Sequence, residues 1–159
     1  MPTIELSTDI DAPIERVFDL ARSIDAHVAS TSSSGERAVA GRTSGLIELG
    51  ETVTWQAKHF GIGQTLTVEI TGFDRPTYFE DRMVKGAFAS IHHAHRFETI
   101  GAMTRMHDSF TFCAPIGPLG RIAERLFLTR YMKRFLIERN QVLKQTAESD
   151  RWRDFLDQP

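Results

Sequence analysis

What most limits the fold of this chain is the order of its two periodicities. From Glu36 to Ala114, short segments of alternating apolar and polar residues follow one another with glycine and proline between them, and one long helical pattern comes only afterwards. The segments GERAVAGR, GETVTWQAKHF, GQTLTVEITGF, TYFEDRMVKG, ASIHHAHRFE and AMTRMHDSFTFCA read as strands. Their connections, FGIG, DRP and the region around Gly101, are short enough to make the run a meander of antiparallel hairpins. RTSGLIELG, residues 42–50, is read as an irregular loop or an extra short strand, with a gate and a plain connection both open as its role. APIGPLG, residues 114–120, stops the last strand, because two prolines and two glycines cannot continue a ladder.

The flanks complete the pattern. Ile4, Leu6, Thr8 and Ile10 alternate as a first strand, and Asp11, Ala12 and Pro13 then supply a helix start, with Pro at the first helical position and Asp as its cap. Ile14, Val17, Phe18 and Ala21 follow at helical spacing, and a second short helix is expected over Ile24 to Ser30. The long helix is expected from about Pro118 to Glu148, with Leu119, Ile122, Leu126, Met132, Phe135, Leu136 and Leu143 as its apolar side. Trp152, Phe155 and Leu156 in the tail are expected to pack back onto the body. No repeat or linker interrupts the chain, so residues 1–159 read as a single domain of the α+β class. The sheet face and the helix stripe are buried most simply by wrapping the sheet around the helix. A curved sheet and a cylinder do not meet everywhere, and the arrangement tends to leave a hollow.

Composition narrows the function classes. With 159 residues, 41% of them hydrophobic, the chain can bury an adequate core without a disulfide or metal staple. Cys113 is the single cysteine, which excludes an internal disulfide and fits a reducing compartment; its apolar surroundings read as packing. MPTIELSTDIDAP lacks the basic-then-apolar order of a secretory signal, and no apolar run approaches the roughly 18 residues of a membrane span. The expectation is a cytoplasmic protein without an integral membrane segment. A net charge of −2 with no long single-sign run gives no electrostatic case for nucleic acid, and a homodimer stays open.

IDAPIERVFDLARSIDAH, FGIGQTLTVEITGFDRPTYFEDRMVKGAF and PIGPLGRIAERLF, in this order, make the chain resemble the START/Bet v 1-like, or SRPBCC, helix-grip superfamily over most of its length. The resemblance implies a curved antiparallel β-sheet around a long C-terminal α-helix, with two short helices after the first strand. It also implies a cavity for an apolar or amphipathic small molecule, as in lipid carriers, hormone receptors and polyketide cyclase or dehydratase enzymes. It supplies no family-wide catalytic motif, so the site is argued from these residues.

In a strand, alternate side chains share a face. In ASIHHAHRFE the more apolar set is Ala89, Ile91, His93, His95 and Phe97, which turns two imidazoles inward and leaves His92 outside. The next strand puts Asp108 among Thr104, Met106, Phe110 and Phe112, and the preceding one puts Asp81 with Phe79 and Met83. Trp55 shares parity with His59, and Ile70 with Val68. A hairpin centred on Ala87 sets Asp81 opposite His93 and Phe79 opposite His95; a turn centred between Ile100 and Gly101 sets His93 opposite Asp108 and His95 opposite Met106.

Three chemistries fit such a cluster. His93, His95 and Asp108 contain the donors of an open zinc site, but their spacing is loose and neither a metal nor a cofactor is expected. The same three residues can act as an acid-base set for cyclisation, dehydration or hydration, since burial lowers and carboxylates raise an imidazole pKa. The preferred reading is recognition of a hydrophobic or amphipathic small molecule, with Trp55, Ile70, Met83, Ile91, Phe97, Met106 and Phe110 as apolar walls. His59, Asp81 and the His93–His95 pair give directed polar contacts. Tyr131, Arg134 and Arg139 are placed at the rim of the cavity.

Overall fold

The structure, a computed structural model, describes residues 1–115 and 117–157. Strand β1 (Thr3–Ile10) leads into helices α1 (Ile14–Ala21) and α2 (Ile24–Ser30). Strands β2 (Arg37–Gly41), β3 (Thr52–His59), β4 (Ile62–Asp74), β5 (Tyr78–Lys85), β6 (Ser90–Ile100) and β7 (Met103–Cys113) follow. The C-terminal part holds α3 (Gly117–Ala123), a π-helical turn (Glu124–Leu128), α4 (Thr129–Ala147) and α5 (Arg153–Leu156). None of the helices among the described residues is long and apolar enough to cross a membrane.

The strands form one antiparallel sheet in the order β1-β7-β6-β5-β4-β3-β2. From β2 to β7 each strand pairs with its neighbour in sequence, as short turns require, and β1 adds to the outer side of β7. Register shifts between Thr67 and Val68 and between Ile70 and Gly72 interrupt the β4–β5 ladder, and such irregularities bend and twist a sheet. The bending lets the concave face follow the long helix, which completes the helix-grip architecture.

Pairing of β5 with β6 has the expected register, Asp81 opposite His93 and Phe79 opposite His95. The β6–β7 register differs by two residues from the expected one: His95 faces Asp108, His93 faces Phe110 and Phe97 faces Met106. The reason lies in the turn. Ile100 pairs with Met103, so the two turn residues are Gly101 and Ala102, and Gly101 takes the positive φ of 61° that a tight hairpin asks of its first turn position.

Three other local expectations are corrected. Pro13 precedes the first helical residue of α1 and no side chain caps that end; Asp11 instead offers its backbone N–H to Glu148 Oε1 at 2.9 Å. The apolar stripe of the last helix does not continue through its length: Leu136 and Leu143 are buried, while Leu119, Ile122 and Leu126 are exposed. The π turn explains this, because one extra residue in a helical turn rotates everything beyond it by roughly 100°. Cys113, read as a packing residue, lies half-buried on the opposite face of β7 from Met106, Asp108, Phe110 and Phe112.

Apolar burial is divided between two clusters. The larger joins α1 and α2 to β3, β4 and Leu143, with Trp152, Phe155 and Leu156 of the tail packed against it as expected. The smaller gathers Ile4, Ile91, Phe110, Phe112 and Leu136. Phe18 anchors the first: it is fully buried and meets Phe73, Phe79 and Phe97 edge-on at 5.5, 5.5 and 5.2 Å between ring centres. Phe18→Ala is expected to cost about 3–5 kcal/mol and to lower the melting temperature by roughly 10 °C, read by calorimetry.

Candidate functional site

Between the two clusters lies a cavity of about 290 Å³, walled by β3–β6 and Phe110 of β7 on one side and by the α4 residues Tyr131, Leu136 and Arg139 on the other. Of the residues expected to meet a ligand, Trp55, His59, Ile70, Asp81, Ile91 and Phe110 line it, as do His93 and His95. Met83, Phe97 and Met106 do not. Met83 packs on the smaller apolar cluster, whereas Phe97 and Met106 belong to the larger one. Their facing was read correctly; parity names a face of the sheet but not the part of that face which another element covers.

Asp108 is also absent from the wall. It is fully buried behind the two histidines, where it holds their rings. His93 Nε2 donates to Asp108 Oδ1 at 3.1 Å. His95 Nδ1 approaches the same oxygen at 2.7 Å but out of line for a well-formed hydrogen bond. Asn140 Nδ2 from α4 donates to the other oxygen, Oδ2, at 2.7 Å. The two-residue change of register thus keeps the cluster together: Asp108 faces His95 directly and reaches His93 on the diagonal.

The imidazoles are clamped from their other sides too. His93 and His95 lie 3.9 Å apart between ring centres, Phe79 stacks on His95 at 4.3 Å, and Phe110 meets His93 edge-on at 5.1 Å. Asp81, on the neighbouring strand, brings Oδ2 to 3.9 Å from His95 Nε2. Asp81, His93 and His95 each offer one atom capable of holding a metal, all within 4.8 Å of one another.

Their acid-base properties diverge. Burial, aided by the neighbouring His95, pushes His93 down to about 4 against the pull of Asp108 and Asp81. Burial also opposes charge on His95, but the Asp108 and Asp81 carboxylates outweigh it and raise its pKa above the usual 6.5. For Asp108, burial works upward and is overcome by the two histidines, which hold the carboxyl well below its ordinary range. The two imidazole pKa values are thus pushed apart, His93 down and His95 up, which is the divergence a proton-shuttling pair needs.

Several wall residues carried no sequence signal. His27 of α2 stacks on Trp55 at 4.2 Å and lies 3.2 Å from Glu36 Oε1, and both ionisable groups face the cavity. Helix spacing gave no hint that α2 would meet β3. Arg139, placed at the rim by sequence, is buried deep in the wall, with Nη1 4.0 Å from Asp108 Oδ1. Tyr131 does border the cavity and shares a 2.7 Å hydrogen bond with His59 Nδ1, whereas Arg134 is exposed and pairs with Glu138. His92 lies on the outer face, where its Nε2 donates to Glu80 at 2.7 Å. The 42–50 segment is tied down: Ile24 N–H donates to Gly45 O, Ile47 N–H to Arg22 O, and Ile47 contributes to the wall.

A curved antiparallel sheet gripping a terminal helix around a hollow defines the helix-grip class of proteins. The sequence agrees, since residues 1–148 match the family of polyketide cyclase / dehydrase and lipid transport proteins, and the chain belongs to that family within the START/Bet v 1-like superfamily. Among curated proteins none matches. The chain is similar in structure to TTHA0849 from Thermus thermophilus, with 20% identity, 92% of this chain and 97% of that one covered, and a TM-score of 0.75. Protein CV1439 from Chromobacterium violaceum gives 10% identity, 94% and 100% coverage, and a TM-score of 0.73. Major latex-like protein 151 from Panax ginseng gives 16%, 93% and 98%, and 0.63. These likenesses establish the fold.

The pKa directions set a pH dependence. A His pKa depressed on folding means that the unfolded chain binds a proton the folded one refuses, so the contribution of His93 is present above pH 6.5 and is lost as pH falls from 6.5 toward 4. The contribution of His95 is complete below 6.5 and is lost only as pH rises through its raised folded value. Urea midpoints measured from pH 6.5 to 4.5 are therefore expected to fall by the equivalent of about 1–3 kcal/mol in the natural protein, and to fall less in His93→Gln.

Proposed function

We propose that the protein binds a hydrophobic or amphipathic small molecule, lipid-like or aromatic, in the cavity between sheet and α4. The observation that carries this reading is the composition of the wall. Apolar groups such as Trp55, Ile70, Ile91 and Phe110 supply affinity by leaving water, and polar groups, among them Asp81 with His93 and His95, supply orientation. The volume of about 290 Å³ is at the lower end of the ordinary range for ligand pockets, roughly 300–1,000 Å³, and favours a compact aromatic or a short acyl chain over a sterol.

A second reading, favoured by the Asp108-supported histidine pair, is a cyclase, dehydratase or hydratase in the same cavity. His93, whose pKa burial lowers, would accept a proton and His95, whose pKa the carboxylates raise, would donate one, with Asp108 behind both rings. A bell-shaped dependence of turnover on pH, abolished by His93→Gln, distinguishes this enzyme from a carrier.

Ala57, which is buried and lines the cavity, gives the direct test of occupancy. Ala57→Phe fills the hollow and is expected to weaken binding of a fluorescent naphthalene-type probe at least tenfold, measured by titration and by native mass spectrometry. Equal binding by both proteins, or binding by neither, would reject the cavity as the ligand site.

A further inference from the structure

We propose that Asp81, His93 and His95 hold one divalent transition-metal ion of the zinc class, with Asp108 as the carboxylate that orients the two imidazoles. The sequence pointed to Asp108 as the third donor. The strand register instead places that carboxylate behind the rings and brings Asp81 round to the cavity side, directly opposite His93.

Proton bookkeeping supports the assignment. A carboxylate can only accept, so the ring nitrogens turned toward Asp108, His93 Nε2 and His95 Nδ1, are the ones that carry hydrogen in neutral imidazoles. Each ring then keeps a lone pair on its other nitrogen, and that of His95, on Nε2, is 3.9 Å from the Asp81 carboxylate. Acceptors brought this close in a water-poor wall need a positive charge to share. A proton on His95 satisfies one contact, whereas a metal ion satisfies all three donors at once.

The surroundings have the form that metal sites use. A histidine ligand commonly donates its second ring N–H to a carboxylate, which fixes its orientation and raises its basicity; here Asp108 accepts from His93 Nε2 and lies 2.7 Å from His95 Nδ1. Asn140 secures Asp108 from α4 at 2.7 Å, and Phe79 and Phe110 limit ring rotation. Arg139, 4.0 Å from Asp108 Oδ1, partly offsets that carboxylate and acts at longer range on Asp81 as well. The donor atoms, within 4.8 Å of one another, must draw together, since ligands about 2.0–2.2 Å from zinc stand roughly 3–3.5 Å apart. Side-chain rotation of Asp81, which is half-buried at the cavity wall, supplies much of that movement. Two imidazoles and one carboxylate suit zinc, cobalt or iron(II) better than magnesium or calcium, which prefer all-oxygen shells. Three protein donors leave a coordination position open toward the cavity.

The test uses the untagged full chain after chelator treatment, titrated at pH 7.5 with Zn²⁺ by calorimetry and with Co²⁺ by visible absorption. One equivalent should bind, with Co²⁺ giving the d–d bands of a four- or five-coordinate site. Asp81→Asn and His95→Gln should each weaken binding at least 100-fold. Asp108→Asn, which removes no ligand, should weaken it by about 10–100-fold. His92→Gln, which alters a histidine–carboxylate pair on the outer face, should leave it unchanged. If His95→Gln proves unfolded by circular dichroism, Asp81→Asn decides. Absence of saturable binding below millimolar metal, or stoichiometric binding undiminished in Asp81→Asn, overturns the site. The readout is the ion itself, so a negative result leaves the cavity's role toward organic ligands standing.

Discussion

A carboxylate with no exposure to solvent, Asp108, organises this protein's interior. Removing an ionised group from water costs several kcal/mol unless charges and hydrogen bonds replace the lost hydration. The replacements come from two elements far apart in sequence: His93 and His95 from β6, and Asn140 with the more distant Arg139 from α4. Satisfying one buried charge therefore couples the central strands to the long helix at a defined height and rotation. A helix placed by apolar contact alone would be freer to slide, because dispersion and burial are not directional.

That coupling also accounts for where the hollow lies. Leu136 and Leu143 bury against the two apolar clusters, while Arg139 and Asn140, on the same side of α4, are held at the polar cluster. The helix is pinned by its polar residues where apolar ones would otherwise have closed on the sheet. Cavity and buried polar cluster are two consequences of one packing choice. Among the described residues, the ionisable side chains that β5 and β6 contribute to the cavity wall are Asp81, His93 and His95, and they come to stand at its edge.

Much of this was legible in the sequence because its signals are local. Alternation placed Ile91, His93, His95 and Phe97 on one face of β6 and His92 on the other; those four are buried and His92 only partly so, while Ala94 on the His92 face is buried too and Ala89, assigned to the inward set, is exposed. The hairpin around Ala87 was legible from the symmetric runs on either side of it. The turn after β6 was not: TIGAM allows two placements of a tight turn that differ by a residue, and each residue of displacement in the turn moves the register by two. The interruption of the last helix was invisible for a related reason, since apolar residues on both sides of the π turn have helical spacing and only their phase changes. Arg139 was misplaced to the rim because an arginine in a helix usually reaches water, and nothing nearby in sequence announces a buried counter-charge.

By itself the sequence determined the class of fold, the inward facing of two histidines and an aspartate, and membership in a family of ligand-binding and cyclase-type proteins. Those properties follow from periodicities of two and 3.6 residues and from turn chemistry, which act over a few positions along the chain. Tertiary structure alone decided that Asp108 stands behind the imidazoles and Asp81 in front of them, that Arg139 and Glu36 enter the wall, and that Phe97 and Met106 stay in the core. These depend on which residues meet across strands and helices separated by dozens of positions, where a shift of two residues preserves every local preference and changes every neighbour.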